Sequence, residues 1–169
     1  MKSLFAVCTA LIALTTTSIL ADEPAAPTKG TYLITGLHCP PCTKTVEGSL
    51  TRVKGVKSVS VDWRTKNAKI EFDESILPAQ VLAQKIGETP HMMGRDMQYA
   101  GLLSLKVPSV KDDATGKVVK DALADVEGIS RVVAYPAQHA IGIAFKPNGK
   151  MTSQKVIELL VAAGIEASN

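Results

Sequence analysis

Apolar and polar residues alternate most cleanly in two stretches of the first half of the chain. Val59, Val61 and Trp63 alternate with Ser60 and Asp62, and Ala68, Ile70 and Phe72 alternate with Lys69 and Glu71. A period of two marks half-buried strands, and Arg64-Thr65-Lys66-Asn67 between them reads as the turn of a hairpin. Upstream, Tyr32–Thr35 reads as a strand. Val46, Leu50 and Val53 share one face of a helix that starts near Thr43 and stops at Gly55. Downstream, Pro78 suits the first turn of a second helix carrying Val81, Leu82 and Ile86, and a last strand is expected from Met92.

The same pattern returns after a shift of 73 positions. Lys44 falls on Lys117, Leu50 on Leu123, Gly55 on Gly128, Val59 on Val132, Ile70 on Ile143 and Phe72 on Phe145. A constant offset over that span points to duplication. The register slips by two residues only near Pro147-Asn148-Gly149, where an insertion belongs in a loop. The second half therefore reads as a strand over Leu102–Val107, a helix through Val119, Leu123 and Val126, and a hairpin of Val132–Tyr135 with Ile141–Phe145. A helix capped by Thr152 or Ser153 follows, stopped by Gly164, and then a short strand from Ile165. Each half has the order βαββαβ, the split-βαβ plan. The fold class expected is α+β, with two tandem ferredoxin-like domains over residues 30–99 and 102–169.

The N-terminus carries a different signal. Lys2 precedes an apolar run from Leu4 to Leu14, and small residues lead to Ala21. That is the layout of a secretory signal peptide over residues 1–21, and the run is shorter than the ~18 residues of a spanning segment. Residues 22–29, with Pro24 and Pro27, read as a tether. No later segment is apolar enough to span a membrane. Removing the leader takes the net charge from +3 to about +2, and no basic run suggests nucleic acid. The chain is expected to be periplasmic or secreted.

Export sharpens the cysteine question. Cys8 leaves with the leader, so Cys39 and Cys42 are the two that remain. A pair three positions apart closes too short a loop to staple a fold, so it reads as a chemical site. Two thiols at a helix start can hold a soft metal, or cycle between dithiol and disulfide. In the second half Cys39 becomes Asp112 and Cys42 becomes Thr115, so that half reads as structural or partner-binding.

Gly36-Leu37-His38-Cys39-Pro40-Pro41-Cys42, on the first loop of a βαββαβ unit, resembles the Gly-Met-x-Cys-x-x-Cys motif of the heavy-metal-associated domain family. This is the domain of copper chaperones, of P-type ATPase metal-binding domains and of the periplasmic mercury-binding protein. The resemblance covers about residues 30–98, and the second half is similar without the cysteines. It implies a non-enzymatic soft-metal chaperone or scavenger with Cys39 and Cys42 as ligands and transfer by ligand exchange between docked domains. Cu(I) ranks first as the metal, with Hg(II) and Zn(II) after it; Zn(II) wants about four ligands where the loop offers two. A metal-transporting ATPase or another exported metal protein is the implied partner.

Two residues depart from the family pattern. Leu37 stands where the family has Met, and should pack inward beneath the loop at little cost. Pro40 and Pro41 lack N–H groups, so the thiolates should be less stabilised than usual. Lys44 is expected to add positive potential. His38 and His91 are candidate accessory ligands, His91 from a loop beside the metal loop. Met92, Met93 and Met97 suit either a core strand or Cu(I). His139 reads as a solvated turn residue. Two other functions stay open: a periplasmic thiol–disulfide redox protein, favoured by Cys-Pro-Pro-Cys, and an interaction module with incidental metal binding.

Overall fold

The computed structural model describes residues 26–94 and 96–169. The leader read over residues 1–21 lies outside the described residues, as do residues 22–25 of the tether. Thr28 and Lys29, expected in the tether, already belong to the first strand.

In chain order the elements are β1 Thr28–Thr35, α1 Pro40–Leu50, β2 Val56–Asp62, β3 Asn67–Phe72 and α2 Ala79–Gly87. Then come β4 Ala100–Lys106, α3 Asp113–Leu123, β5 Ile129–Tyr135, β6 Ala140–Phe145 and α4 Ser153–Ala162. The second five repeat the order of the first five. All six strands join one antiparallel sheet in the order β2-β3-β1-β4-β6-β5. The α+β, ferredoxin-like plan is therefore present, carried by one continuous sheet.

β4 sits beside β1 and so completes the order β2-β3-β1-β4 of a ferredoxin-like unit. It is also the first strand of the second set of elements. The boundary expected at Tyr99-Ala100-Gly101 thus falls at the start of a strand common to both. The β1–β4 register pairs Thr31 with Ser104, and these two are related by the 73-residue offset of the sequence. Each half accordingly faces its counterpart around a pseudo-two-fold axis near that pair, as identical subunits do across an isologous interface.

That arrangement explains two differences from expectation. No strand starts at Met92: the place beside β1 is already filled by β4, and residues 92 and 93 form an exposed turn. No strand starts at Ile165 either, because β1 occupies the edge of β4 that it would need. Ile165 is buried beyond Gly164, and only Ser168 reaches the sheet, exchanging two backbone hydrogen bonds with Lys106.

Alternation decides which face of the sheet is covered. Tyr32 and Ile34, Ala68, Ile70 and Phe72, Leu103 and Leu105, and Ile141 and Ile143 are buried in one continuous cluster with Val46, Leu50, Leu82, Ile86, Val119, Leu123, Val156 and Leu160 from the helices. The Tyr32 hydroxyl donates to the Ala79 carbonyl in α2 at 3.2 Å. Small residues let the helices approach. A Cβ on Gly101 would come within 2.6 Å of Ile86, and one on Gly116 within 2.7 Å of Ala134. Trp63, expected within β2, lies beyond its end and is 41 % exposed.

Polar contacts also tie the halves together. Gln80, fully buried in α2, donates from Nε2 to the Lys146 carbonyl at 2.7 Å and accepts the Met151 N–H at 2.9 Å. Its own backbone N–H reaches the Met151 carbonyl at 3.0 Å. The Glu74 carboxylate accepts from both the backbone and the hydroxyl of Ser153 at the start of α4. Relative motion of the halves is limited accordingly.

Candidate metal centre

The loop between β1 and α1 begins with Gly36 at φ +87°, where a Cβ would collide with the Gln98 carbonyl. Only glycine turns the chain here without strain. Leu37 is 2 % exposed and joins the core, the inward packing expected of it. Helix α1 starts at Pro40, three residues earlier than the apolar periodicity suggests. The reason is the proline pair itself: the first helical positions need no N–H, and their φ is preset. Cys39 is the N-cap in extended conformation (φ −152°, ψ 156°), and Cys42 lies inside the first turn, fully buried.

The two sulfurs share a hydrogen bond at 2.6 Å. Burial pushes the Cys42 thiol up, but donors outweigh it. The Cys39 thiol, the N–H groups of His38 and Cys39, and the Tyr99 hydroxyl hold Cys42 below the ordinary thiol value. Cys39 is raised, first by its hydrogen bond with Cys42 and then by burial. With no N–H at Pro40 or Pro41, the backbone donors to Cys42 come from upstream in the same loop. Lys44 is exposed and is not among the groups that shift either thiol.

Tyr99 is the residue that sequence reasoning missed. It ends the loop before β4 and is 2 % exposed, and its hydroxyl oxygen has no hydrogen-bond partner. Burial and the Cys42 sulfur it faces push that hydroxyl up to about 12. A buried donor without a conventional acceptor, aimed at a thiol, is suited to a thiolate. The one signal in the sequence was a large amphipathic residue at the junction of the repeats, where it read as a domain boundary.

His38 and His91 both come to this end of the molecule. The His91 ring stacks on Tyr99 with centroids 4.4 Å apart and meets His38 edge-on at 6.0 Å. Nδ1 of His91 accepts the Met93 N–H at 3.1 Å, so Nε2 carries the proton and donates to the Gly36 carbonyl at 3.0 Å. Both nitrogens are engaged, which makes His91 a brace for the cysteine loop. Among the described residues no three His, Cys, Asp or Glu side chains converge on a point that could hold a metal. The two sulfurs stand together here, with His38 exposed beside them.

The equivalent loop of the second half makes the contrast plain. Asp112, at the position of Cys39, caps α3 by accepting the Thr115 N–H at 2.8 Å, and Thr115, at the position of Cys42, bonds back to the Asp112 N–H at 3.1 Å. Two positions that present sulfur in one half close a capping box in the other. Val110 is buried like Leu37, and the ring of His139, expected to be merely solvated, bonds to the Val110 carbonyl at 2.9 Å. A cavity of about 340 Å³ on the uncovered sheet face, between Thr31, Ser104, Lys106 and Tyr135, is lined by no Cys, His, Asp or Glu side chain.

Comparison with known proteins gives a consistent result. The family model for the heavy-metal-associated domain matches residues 31–91. A copper-transporting ATPase of Oryza sativa subsp. japonica is 29 % identical over 135 residues, 77 % of this chain but 13 % of that protein, so the chain spans only about an eighth of its length. The mercuric transport protein periplasmic component of Alcaligenes sp is 31 % identical over 88 residues, 52 % of this chain and 90 % of that one. The copper chaperone CopZ of Enterococcus hirae is 32 % identical over 60 residues, 36 % of this chain and 87 % of that one. Among the described residues no helix is long and apolar enough to cross a membrane.

Proposed function

Because this chain belongs to the heavy-metal-associated domain family, we propose that it is an exported carrier of a soft metal ion, Cu(I) or Hg(II), held between Cys39 and Cys42. The observation that carries this reading is the placement of the pair. The two sulfurs stand together at the start of α1, Cys42 buried in its first turn and Cys39 half-exposed at its cap. Two sulfurs prefer Cu(I) or Hg(II) to hard ions and leave the metal open to a third thiolate. A partner sulfur adds at that open side, the bond to the half-exposed Cys39 is the first to break, and Cys42 is displaced last. The metal is cargo, and the residues hold, orient and release it.

The leader-like residues 1–21 and the likeness to a periplasmic mercuric component support a periplasmic or secreted location. A match that spans 77 % of the chain must reach α3, which supports reading residues 30–99 and 102–169 as two related units, the second structural or partner-binding. A metal-transporting ATPase is the natural donor or acceptor. The test is an anaerobic titration of the reduced mature protein with Cu(I), Hg(II) and Zn(II) against a competing chelator. One tight equivalent of Cu(I) or Hg(II), lost in Cys42→Ser, is expected. Absence of binding together with disulfide reductase activity would sink the carrier reading.

A further inference from the structure

Three of the five methionines lie within six residues of one another, in the loop that leads from α2 towards Tyr99. A core strand accounts for them poorly, because Met92 and Met93 are 54 % and 62 % exposed and Met97 is half-buried. Burial of such apolar side chains stabilises a fold, and here more than half of each is left in water at two adjacent positions. Met92 and Met97 line a surface cavity of about 360 Å³ together with His91 and Glu88. His91 accepts from Met93 and donates to Gly36. The methionine-bearing loop is therefore tied to the cysteine loop through one imidazole.

A thioether is soft, uncharged and without a proton to lose near neutrality. It suits Cu(I) and Ag(I) and not Zn(II). It also cannot be withdrawn as a disulfide, whereas paired thiols outside the cytosol tend to oxidise.

We propose that Met92, Met93 and Met97 form a second soft-metal site, which collects a monovalent ion and delivers it to Cys39 and Cys42. This rests on the soft-metal reading of the cysteine pair. In the transfer, metal–thioether bonds break and two metal–thiolate bonds form. Each thiol still protonated gives its proton to water, and the metal keeps its oxidation state. Neutral donors bind more weakly than thiolates, so the gradient runs from the methionines to the cysteines.

The experiment uses Ag(I), a redox-stable ion of the same charge, in chloride-free buffer. A Cys39→Ser/Cys42→Ser variant is titrated and followed by native mass spectrometry and by NMR of the methionine ε-methyl groups. Disulfide-oxidised wild type is titrated in parallel, so that a folding defect in the variant does not decide the outcome. One equivalent is expected in both, with the methyls of Met92, Met93 and Met97 shifting while Met151 stays in place. Met92→Leu/Met93→Leu/Met97→Leu in the Ser background should abolish it. If reduced wild type binds Cu(I) tightly while neither thiol-blocked form takes up Ag(I), or Ag(I) binds without moving those methyls, this proposal falls and the thiolate reading stands. If the methyls respond but reduced wild type shows no tight Cu(I) equivalent, the thiolate reading falls and the methionine site survives.

Discussion

Replacing Tyr99 by phenylalanine removes a single oxygen beside Cys42 and leaves the ring that stacks on His91. That oxygen is buried without a hydrogen-bond partner and faces the thiol. While Cys42 is protonated, the hydroxyl carries an uncompensated desolvation cost; once Cys42 ionises, it donates to a charge. A hydrogen bond to a charged group is worth about 1.5–3 kcal/mol, which at 1.36 kcal/mol per unit corresponds to a rise of about 1–2 units in the Cys42 pKa on Tyr99→Phe. The hydroxyl stays a donor across the range because its own pKa is pushed up to about 12. The titration is read from thiolate absorbance in the ultraviolet, in a Cys39→Ala background so that the midpoint belongs to one group. Stability supplies a second readout with a definite sign. The folded pKa of Cys42 is depressed, so its thiolate stabilises the fold above the unfolded value, and that contribution is lost as pH falls through the folded value. Tyr99→Phe should therefore unfold at the same or a higher temperature than its parent when Cys42 is a thiol, and at a lower one when Cys42 is a thiolate. An unmoved Cys42 midpoint, or an equal loss of stability on both sides of it, would refute the assignment of Tyr99 to the thiolate.

His91→Phe should keep the stack and remove both ring hydrogen bonds, costing about 1–2 kcal/mol and speeding amide exchange at Met93; the pH dependence of Cu(I) affinity should remain that of thiols alone, and loss of an imidazole step from it would restore His91 as a ligand. Gln80→Leu leaves the Met151 N–H and the Lys146 carbonyl unpaired in the buried seam between the halves, so it should lower stability by about 2–3 kcal/mol, seen as a shift of the urea midpoint. Asp112→Ala removes the cap of α3 and should cost about 1 kcal/mol in thermal unfolding, without altering metal stoichiometry.

Much of the local structure was legible in the residues alone. The alternation of Ala68, Ile70 and Phe72 marked strand β3, Thr152 or Ser153 marked the start of α4, and Leu37 marked an inward-packed position beneath Cys39 and Cys42. Each of these rests on neighbours within a few positions, which is the range over which side-chain periodicity and capping act. The helix start was misjudged by three residues because Pro40 and Pro41 read as a loop, although their missing N–H groups cost nothing in a first turn.

The sequence by itself determined the elements, their repetition at 73 positions and the identity of the two sulfurs. Tertiary structure alone decided that β4 serves both sets of elements, and two expected strands vanished as a result. Each strand has two edges, and β1 and β4 each took an edge that a later segment would have filled. No local pattern reports such competition between segments 70 residues apart, because it is settled by which pairing buries the larger shared core. The same closure set Tyr99 beside Cys42, His91 between the two sulfur-bearing loops, and Met92 and Met93 in solvent.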